Sequence, residues 1–303
     1  MTHKSAFISI VGRPNTGKST LLNALVGKKV AITSQHPNTT RKAIRGIVTR
    51  PEFQLIFVDT PGLHKPKTML GGALNDVVSE SIDSVDIIVQ CIPATDPVGS
   101  GDGHIAAMIA AQKSALKICV VTMVDRVEKK RVPEQLIAAS DLAKRAGFEW
   151  DEIVPLSAIT GEQVELLIEL LANRAAEGPA FYPEEMSSDQ ELEDEIAELI
   201  REATISNLLQ EVPHSIAVVV DEMSEREEGK LLDIHASLIV ERDSQKGIII
   251  GNKGANLKEI GTKARREIEL KLDRKVFLSL HVKVLPNWQR DAKALSKLGF
   301  IQR

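Results

Sequence analysis

Residues 12–19 read GRPNTGKS. The run fits G-x-x-x-x-G-K-[ST], follows the apolar segment AFISIV and precedes a helix-forming stretch that begins near Lys18. This pattern constrains the fold more than any other in the chain. It demands a buried strand, a tight glycine turn, and a helix whose N-terminus points back across the strand end. Gly12 and Gly17 let the backbone curl so that successive N–H groups converge on a phosphate. Arg13, Pro14, Asn15 and Thr16 make up the turn between them, and Thr20 follows in the helix. Lys18 brings a full charge to the β and γ phosphates, and the Ser19 hydroxyl suits Mg2+.

From residue 6 to about 175, β-rich apolar runs alternate with helical patterns. AFISIV, FQLIFV, VDIIVQC, KICVVT and EIVPL read as buried strands. Continuous apolar strands separated by helices predict an α/β domain with a mostly parallel sheet covered by helices on both faces. In its last helix Val164, Leu167, Ile168 and Leu171 form the stripe that would lie on the sheet.

Strand ends are where such sheets carry chemistry. LIFVDTPG ends a strand on Asp59, followed by Thr60, Pro61, Gly62 and Leu63. Asp59 can hold Mg2+ through water, and Gly62 can offer an N–H to the γ-phosphate at low steric cost. The polar loop HPNTTRK contains Asn38, Thr39, Thr40 and Arg41. Its threonines could swing onto the same ion when a γ-phosphate is present, which is how nucleotide switches work. The metal ligands expected are therefore Ser19, Thr40 and Asp59.

The run CVVTMVD ends a further strand with Thr122, Met123, Val124 and Asp125. Asp125 can accept two hydrogen bonds from the N1–H and N2 amino edge of guanine. Adenine has no donor at N1, so a buried carboxylate facing it would lack a partner, at a cost of about 1–3 kcal/mol. Ser157, Ala158 and Ile159 in PLSAITG would bring the Ala158 N–H near guanine O6.

Beyond this unit, EGPAFYPEEMSSDQ combines Gly, Pro, Ser and acids in the manner of a linker. The expected layout is a nucleotide domain over 1–176, a linker over 177–190 and a second domain over 191–303. Leu192, Ile196, Leu199 and Ala203 mark one helix face there. LLDIHASLIV alternates like a half-exposed strand, with a glycine turn, a helix and the alternating strand VFLSLHVKV after it. The reading is α-β-β-α-β, an α+β domain.

The order GxxxxGKS, TT, DTPG, xxxD, SAxxG resembles that of translation-factor-type GTPases. GRPNTGKSTLLNALVG, PNTTR and VDTPGLHKPK are most similar to the Era family, and the resemblance extends over essentially the whole chain. It implies a GTPase domain followed by an α+β type II KH domain, slow GTP hydrolysis with Mg2+, and a role in maturing the small (30S) ribosomal subunit. The partner it implies is 16S ribosomal RNA near its 3′ end. Peripheral association at the inner face of the membrane is a family trait it also implies. No stretch approaches the ~18–20 uninterrupted apolar residues of a membrane span and the N-terminus lacks a signal-peptide pattern, so a soluble cytoplasmic protein is expected, and a monomer. An ATP-dependent nucleotide kinase is disfavoured by DTPG and SAITG and by the lack of an Arg-rich lid.

One departure stands out. The family has Asn-Lys-x-Asp where this chain has Thr122-Met123-Val124-Asp125. The Asn position donates to the base and braces the phosphate loop, and the shorter Thr122 can do part of this. Met123 can imitate the aliphatic stem of the Lys over the base, without its ammonium. Guanine selectivity is expected to survive with reduced affinity.

For hydrolysis the expected groups are Lys18, Asn15, Thr40 and Gly62. Leu63 cannot orient water, so intrinsic turnover is expected near the ~10⁻⁴ per second of unassisted small GTPases, within one or two orders of magnitude. By resemblance, Asn15 helps hold K+ where an arginine finger would otherwise lie. His64 is read as a solvated loop residue.

In the second domain IIIGNKGANLKEIG matches the GxxG loop of a KH fold, with Gly251, Asn252, Lys253 and Gly254 set between an apolar strand and a helix. With these four, Ile250 and Lys258 are the further RNA-contact candidates, and a base groove would be lined by Ile249 and Ile250. The family reads Gly-Lys-Gly-Gly here, so Lys253 is shifted by one place. Trp288 is either a base-stacking residue or a packing anchor.

A net charge of −4 over 303 residues would argue against nucleic acid, but it averages two opposed stretches. Residues 184–228 hold fifteen acids against two bases, whereas 242–303 hold fifteen bases against six acids, a net of +9. The two cysteines, Cys91 and Cys119, sit in separate apolar runs without metal spacing and read as reduced core residues.

Overall fold

The computed structural model describes residues 2–33, 40–63, 68–208, 215–226 and 231–301. They fall into two compact units, one drawn mainly from the chain up to Asp189 and the other from Gln190 onward.

The first unit is built on β1 (Lys4–Gly12), α1 (Lys18–Val26), β2 (Ile44–Arg50), β3 (Phe53–Asp59), α2 (Met69–Asp83), β4 (Ile87–Pro93), α3 (Ser100–Ala111), β5 (Leu116–Thr122), α4 (Arg131–Ala146), β6 (Glu152–Pro155), α5 (Val164–Arg174) and β7 (Ala176–Glu177). The sheet order is β2-β3-β1-β4-β5-β6. The central pairs are parallel, whereas β2 runs antiparallel to β3, and β7 antiparallel to the start of β1. Every residue of β3 and β4 is buried, as strands covered on both faces must be. Val164, Leu167, Ile168 and Leu171 of α5 all lie in the core against β1 and β3, as their spacing predicts. Cys91 and Cys119 are both free and fully buried.

Strand β2 was not among those expected. Its sequence IRGIVTR carries a glycine and two arginines, as an edge strand with one wet side can. Gly46 is needed there because a Cβ would lie 2.6 Å from Leu22 Cδ1 of α1. The segment 177–190, expected as a linker, lies along this unit. Ile47 donates to the Ser187 carbonyl at 3.0 Å, Gly46 bridges Ser188, and Gln54 accepts from the Phe181 and Tyr182 amides.

The second unit contains α6 (Leu192–Ser206), β8 (Ala217–Arg226), β9 (Leu231–Val240), α7 (Asp243–Ile250), α8 (Ala255–Leu272), β10 (Lys275–Val284) and α9 (Ala292–Lys297). Its sheet order is β10-β9-β8, with β10 parallel and β8 antiparallel to β9. The order α-β-β-α-α-β-α extends the expected α-β-β-α-β by two helices, α7 and α9. The run Ile248–Ile250, read as a strand, is the last turn of α7. Gln245 accepts from the Glu241 and Arg242 amides at 2.9 and 3.1 Å and so caps its start. Only Ile249 of the three is fully buried, while Ile248 is half exposed, a helical rather than an alternating pattern. Ile249 therefore belongs to the core and does not line a groove, and Ile250 is half-buried against the same core.

One further expectation changes, and one open alternative closes. Strand β9 is central rather than half-exposed, and its outward Asp233 and Ser237 are covered by pairing with Arg226 and Asp221. Trp288 is fully buried, donates to the Ser215 carbonyl at 3.2 Å and stacks on Phe300, so it is a packing anchor. Leu192 opens α6 and is partly exposed, whereas Ile196, Leu199 and Ala203 are core.

Candidate nucleotide site and nucleic-acid loop

Parallel strands bring their C-terminal ends to one edge, and β1, β3, β5 and β6 deliver the candidate residues there. The loop after β1 turns on Asn15 (φ 63) and Gly17 (φ 86), and α1 begins at Lys18. Gly12 is sterically required, since a Cβ would lie 2.6 Å from Thr16 Oγ1 and 2.9 Å from the Cys91 carbonyl. Thr16 closes the turn by donating to the Arg13 carbonyl at 3.0 Å. Asn15 is exposed on the loop and Pro14 half-buried. Thr20 is half-buried in the first turn of the helix.

Lys18 is almost wholly buried, with Nζ donating to the Gly12 and Arg13 carbonyls at 3.1 and 3.0 Å. Burial pulls its pKa below the ordinary lysine value, opposed by the nearby Asp59 carboxylate. Such an ammonium is poorly solvated and is poised to meet an anion.

The Ser19 hydroxyl donates to Asp59 Oδ2 at 2.6 Å and lies 2.9 Å from Thr40 Oγ1, which is itself 3.3 Å from the same carboxylate oxygen. Three residues from three segments thus converge. Asp59 is fully buried, and burial raises its pKa against the Lys18 charge and the hydroxyl bonds. Its second oxygen, Oδ1, makes no hydrogen bond of ordinary geometry, although the Thr60 amide also lies near the carboxylate. A buried carboxylate with an open oxygen beside two hydroxyls is a donor set that fits a hard divalent cation such as Mg2+.

Thr60 is buried, with its hydroxyl committed to the Ile10 carbonyl at 2.9 Å. Its side chain therefore holds β3 to β1. Pro61 and Gly62 are buried, and a Cβ on Gly62 would meet the Pro14 nitrogen at 2.8 Å. Leu63 packs into the core with Val11 and Val78, and Arg41 is buried. Asn38, Thr39 and His64 lie outside the described residues.

At the base end, Thr122 is buried and donates to the Thr16 carbonyl at 2.7 Å, joining β5 to the phosphate loop. Met123 adopts a left-handed conformation (φ 61), and its Cε would lie 3.4 Å from a Cβ on Gly17. It thus lies against the phosphate loop at Gly17. Val124 and the exposed Asp125 begin a short 3-10 turn. Val124 N–H reaches the Leu156 carbonyl at 3.4 Å, so the segments meant to read the base are tied together. Ser157 is buried and accepts from the Thr160 amide at 3.2 Å, shaping the turn that presents the half-buried Ala158 and the exposed Ile159.

One participant had no sequence signal. Asp102 of α3 is fully buried and pairs with Arg13 Nε at 2.8 Å. The Arg13 side chain is thereby directed at α3.

In the second unit the loop between α7 and α8 has Gly251 at φ 69, Lys253 at φ 49 and Gly254 at φ 81. A Cβ on Gly251 would lie 2.7 Å from Asn256 Cβ. Asn252, Lys253 and Lys258 are exposed around the N-terminus of α8, an arrangement able to receive phosphates.

Residues 7–124 match the profile of the 50S ribosome-binding GTPases, and residues 211–289 that of the KH domain. The chain is 54% identical over 302 residues to GTPase Era of Streptomyces coelicolor, covering 98% of this chain and 95% of that one. Identity is also 54% over 299 residues to GTPase Era of Mycobacterium tuberculosis, covering 98% of each. The chain belongs to the Era GTPase family. A crystal structure of Era in complex with MgGDPNP and nucleotides 1506–1542 of 16S ribosomal RNA superposes with a TM-score of 0.93 at 37% identity, covering 98% of this chain and 99% of that one. A variant of Aquifex aeolicus Era bound to GDP and AlF4− gives 0.92 at 36% identity with the same coverage. The expected GTPase-plus-KH architecture is thus that of the Era family, and its members are GTP-hydrolysing enzymes.

Proposed function

We propose that this Era family member binds GTP·Mg2+ in the first unit, hydrolyses it slowly, and holds 16S ribosomal RNA near its 3′ end with the second, assisting 30S subunit maturation. The observation that carries the nucleotide half is the convergence of Ser19, Thr40 and Asp59 on one point beside Lys18, with Asp59 Oδ1 left open. Ser19 and Thr40 offer hydroxyl oxygens to the cation, and Asp59 acts through water. Mg2+ supplies charge neutralisation across the β and γ phosphates when bound. Lys18 exchanges its two loop carbonyls for phosphate oxygens. The Gly62 amide meets the γ-phosphate, and Thr40 with Asp59 senses whether that phosphate is present.

Leu63, packed in the core, orients no water. Besides Mg2+, charge stabilisation would then fall to the loop amides and Lys18, and Asn15, exposed on the loop, would help hold a K+. Comparing single-turnover rates in KCl and NaCl tests this, and equal rates would remove K+ from the mechanism.

The RNA half rests on the GxxG loop at the α8 N-terminus and on the basic stretch 242–303. The Era relative crystallised with 16S ribosomal RNA nucleotides supports the choice of ligand. Crosslinking the chain to cellular RNA and mapping the sites is the deciding experiment; crosslinks scattered over unrelated transcripts would refute it. A ribosomal RNA partner is in keeping with a cytoplasmic location, and the monomer expected from the sequence is testable by sedimentation. The peripheral membrane association implied by resemblance is testable by vesicle flotation.

A further inference from the structure

We propose that Thr122 braces the phosphate loop without reading the purine, so that this site recognises guanine while ignoring its N7. The proposal rests on the nucleotide site assigned above.

With N1 and N2 on Asp125 and O6 near Ala158, the next polar atom round the ring is N7. It is an acceptor and needs a donor. Among the four residues Thr122–Asp125, the first is the one left to supply it, because Asp125 already holds the other edge of the ring. A hydroxyl carries a single proton. That of Thr122 is directed at the Thr16 carbonyl at 2.7 Å, in a site only 2% exposed. A carboxamide at the same place would have two N–H donors, one for the loop and one for the base.

The neighbouring side chains do not fill the gap. The Met123 sulfur has no proton and instead lies 4.0 Å from the Thr95 hydroxyl that can donate to it. The Val124 side chain is apolar, its N–H reaches the Leu156 carbonyl, and the Asp125 carboxylate only accepts. Mechanical coupling between β5 and the phosphate loop is retained; base readout on the imidazole edge is not.

The test is to measure the affinities of GTP and 7-deaza-GTP by displacement of a fluorescent GDP. The native chain should bind the two within about twofold. Thr122→Asn should bind GTP about fivefold more tightly than 7-deaza-GTP, the worth of one neutral hydrogen bond. Thr122→Val removes the brace and should weaken both ligands by one common factor. A native preference for GTP of fivefold or more would overturn the proposal. So would a Thr122→Val loss larger for GTP than for its deaza analogue, or a Thr122→Asn chain that treats the two alike. Inosine triphosphate, which lacks the N2 amine, is the control for the assignment beneath. Its binding as tightly as GTP would overturn the placement of the base on Asp125 and leave the hydroxyl accounting untouched.

Discussion

Arg13 Nε lies 2.8 Å from Asp102 Oδ1, and the carboxylate is completely shielded from solvent. The other oxygen of Asp102 accepts the Gly99 amide at 2.9 Å, and its carbonyl accepts from Gln90 of β4 at 3.2 Å. Gly101 has no room for a side chain, because a Cβ would lie 2.6 Å from Arg13 Cδ. The phosphate loop is thus anchored sideways to α3 as well as along β1. Asp102→Ala leaves a guanidinium without its partner and should cost about 3 kcal/mol, with GDP affinity falling too. Urea denaturation and GDP titration check both effects.

Gly62→Ala drives a methyl into the Pro14 backbone, which cannot yield as a flexible side chain would. In the proposed mechanism the displaced amide serves the γ-phosphate alone. Single-turnover GTP hydrolysis should fall at least about tenfold, while GDP binding stays within about twofold.

Thr40→Val removes the hydroxyl that meets Ser19 and Asp59 while keeping the side chain's volume. GTP affinity in Mg2+ should drop by about tenfold, the scale of one hydrogen bond to a charged group, with GDP affinity nearly unchanged. Equal losses for GTP and GDP would mean that Thr40 does not sense the γ-phosphate. In EDTA the native chain and the variant should converge.

The Cys91 thiol is pushed up to about 12, first by burial, with the nearby Asp59 charge adding to it and that of Lys18 opposing. Burial also raises Cys119 well above the ordinary value. Both thiols are therefore neutral and inaccessible at pH 8, and Ellman's reagent should react only as the protein unfolds. In the unfolded chain they ionise near 9.0, whereas the folded chain keeps their protons beyond that. Their contribution to stability is complete below pH 9 and lost as the pH rises from about 9 toward 12. Thermal melts across that range on Cys91→Ala and the native chain should show the smaller alkaline loss in the variant.

Lys253→Ala tests the nucleic-acid loop. Removing one phosphate contact should weaken single-stranded RNA binding uniformly across sequences and lower the log–log salt slope by about 0.7. An unchanged slope would show that Lys253 does not touch a phosphate.

The strands that could be read were those whose burial is complete. The all-buried β3 and β4 leave continuous apolar runs, and the α5 stripe carries a clear helical period. Strand β2 escaped because its exposed edge tolerates glycine and arginine, and α7 because three successive isoleucines carry no period. In the nucleotide site, fixed spacing betrayed Lys18, Ser19 and Asp59, since backbone, charge and cation must meet in one order. Asp102 could not be found that way: its partner Arg13 is 89 residues distant, and an acid in SGDGH looks like any solvated loop residue. For Thr122 the sequence offered two roles, bracing and base contact, and only the aim of its one proton distinguishes them.

The bridge from Gly46 to Ser188 carries a practical warning for anyone dissecting this chain. Cutting at residue 176, where the apolar repeats cease, would remove the Ser187 and Ser188 partners of β2 and leave the Ile47 amide bare on an edge already open. Such a fragment would tend to zip onto copies of itself, and its clumping could pass for a loss of nucleotide binding. A cut after Asp189 would keep the hem sewn on.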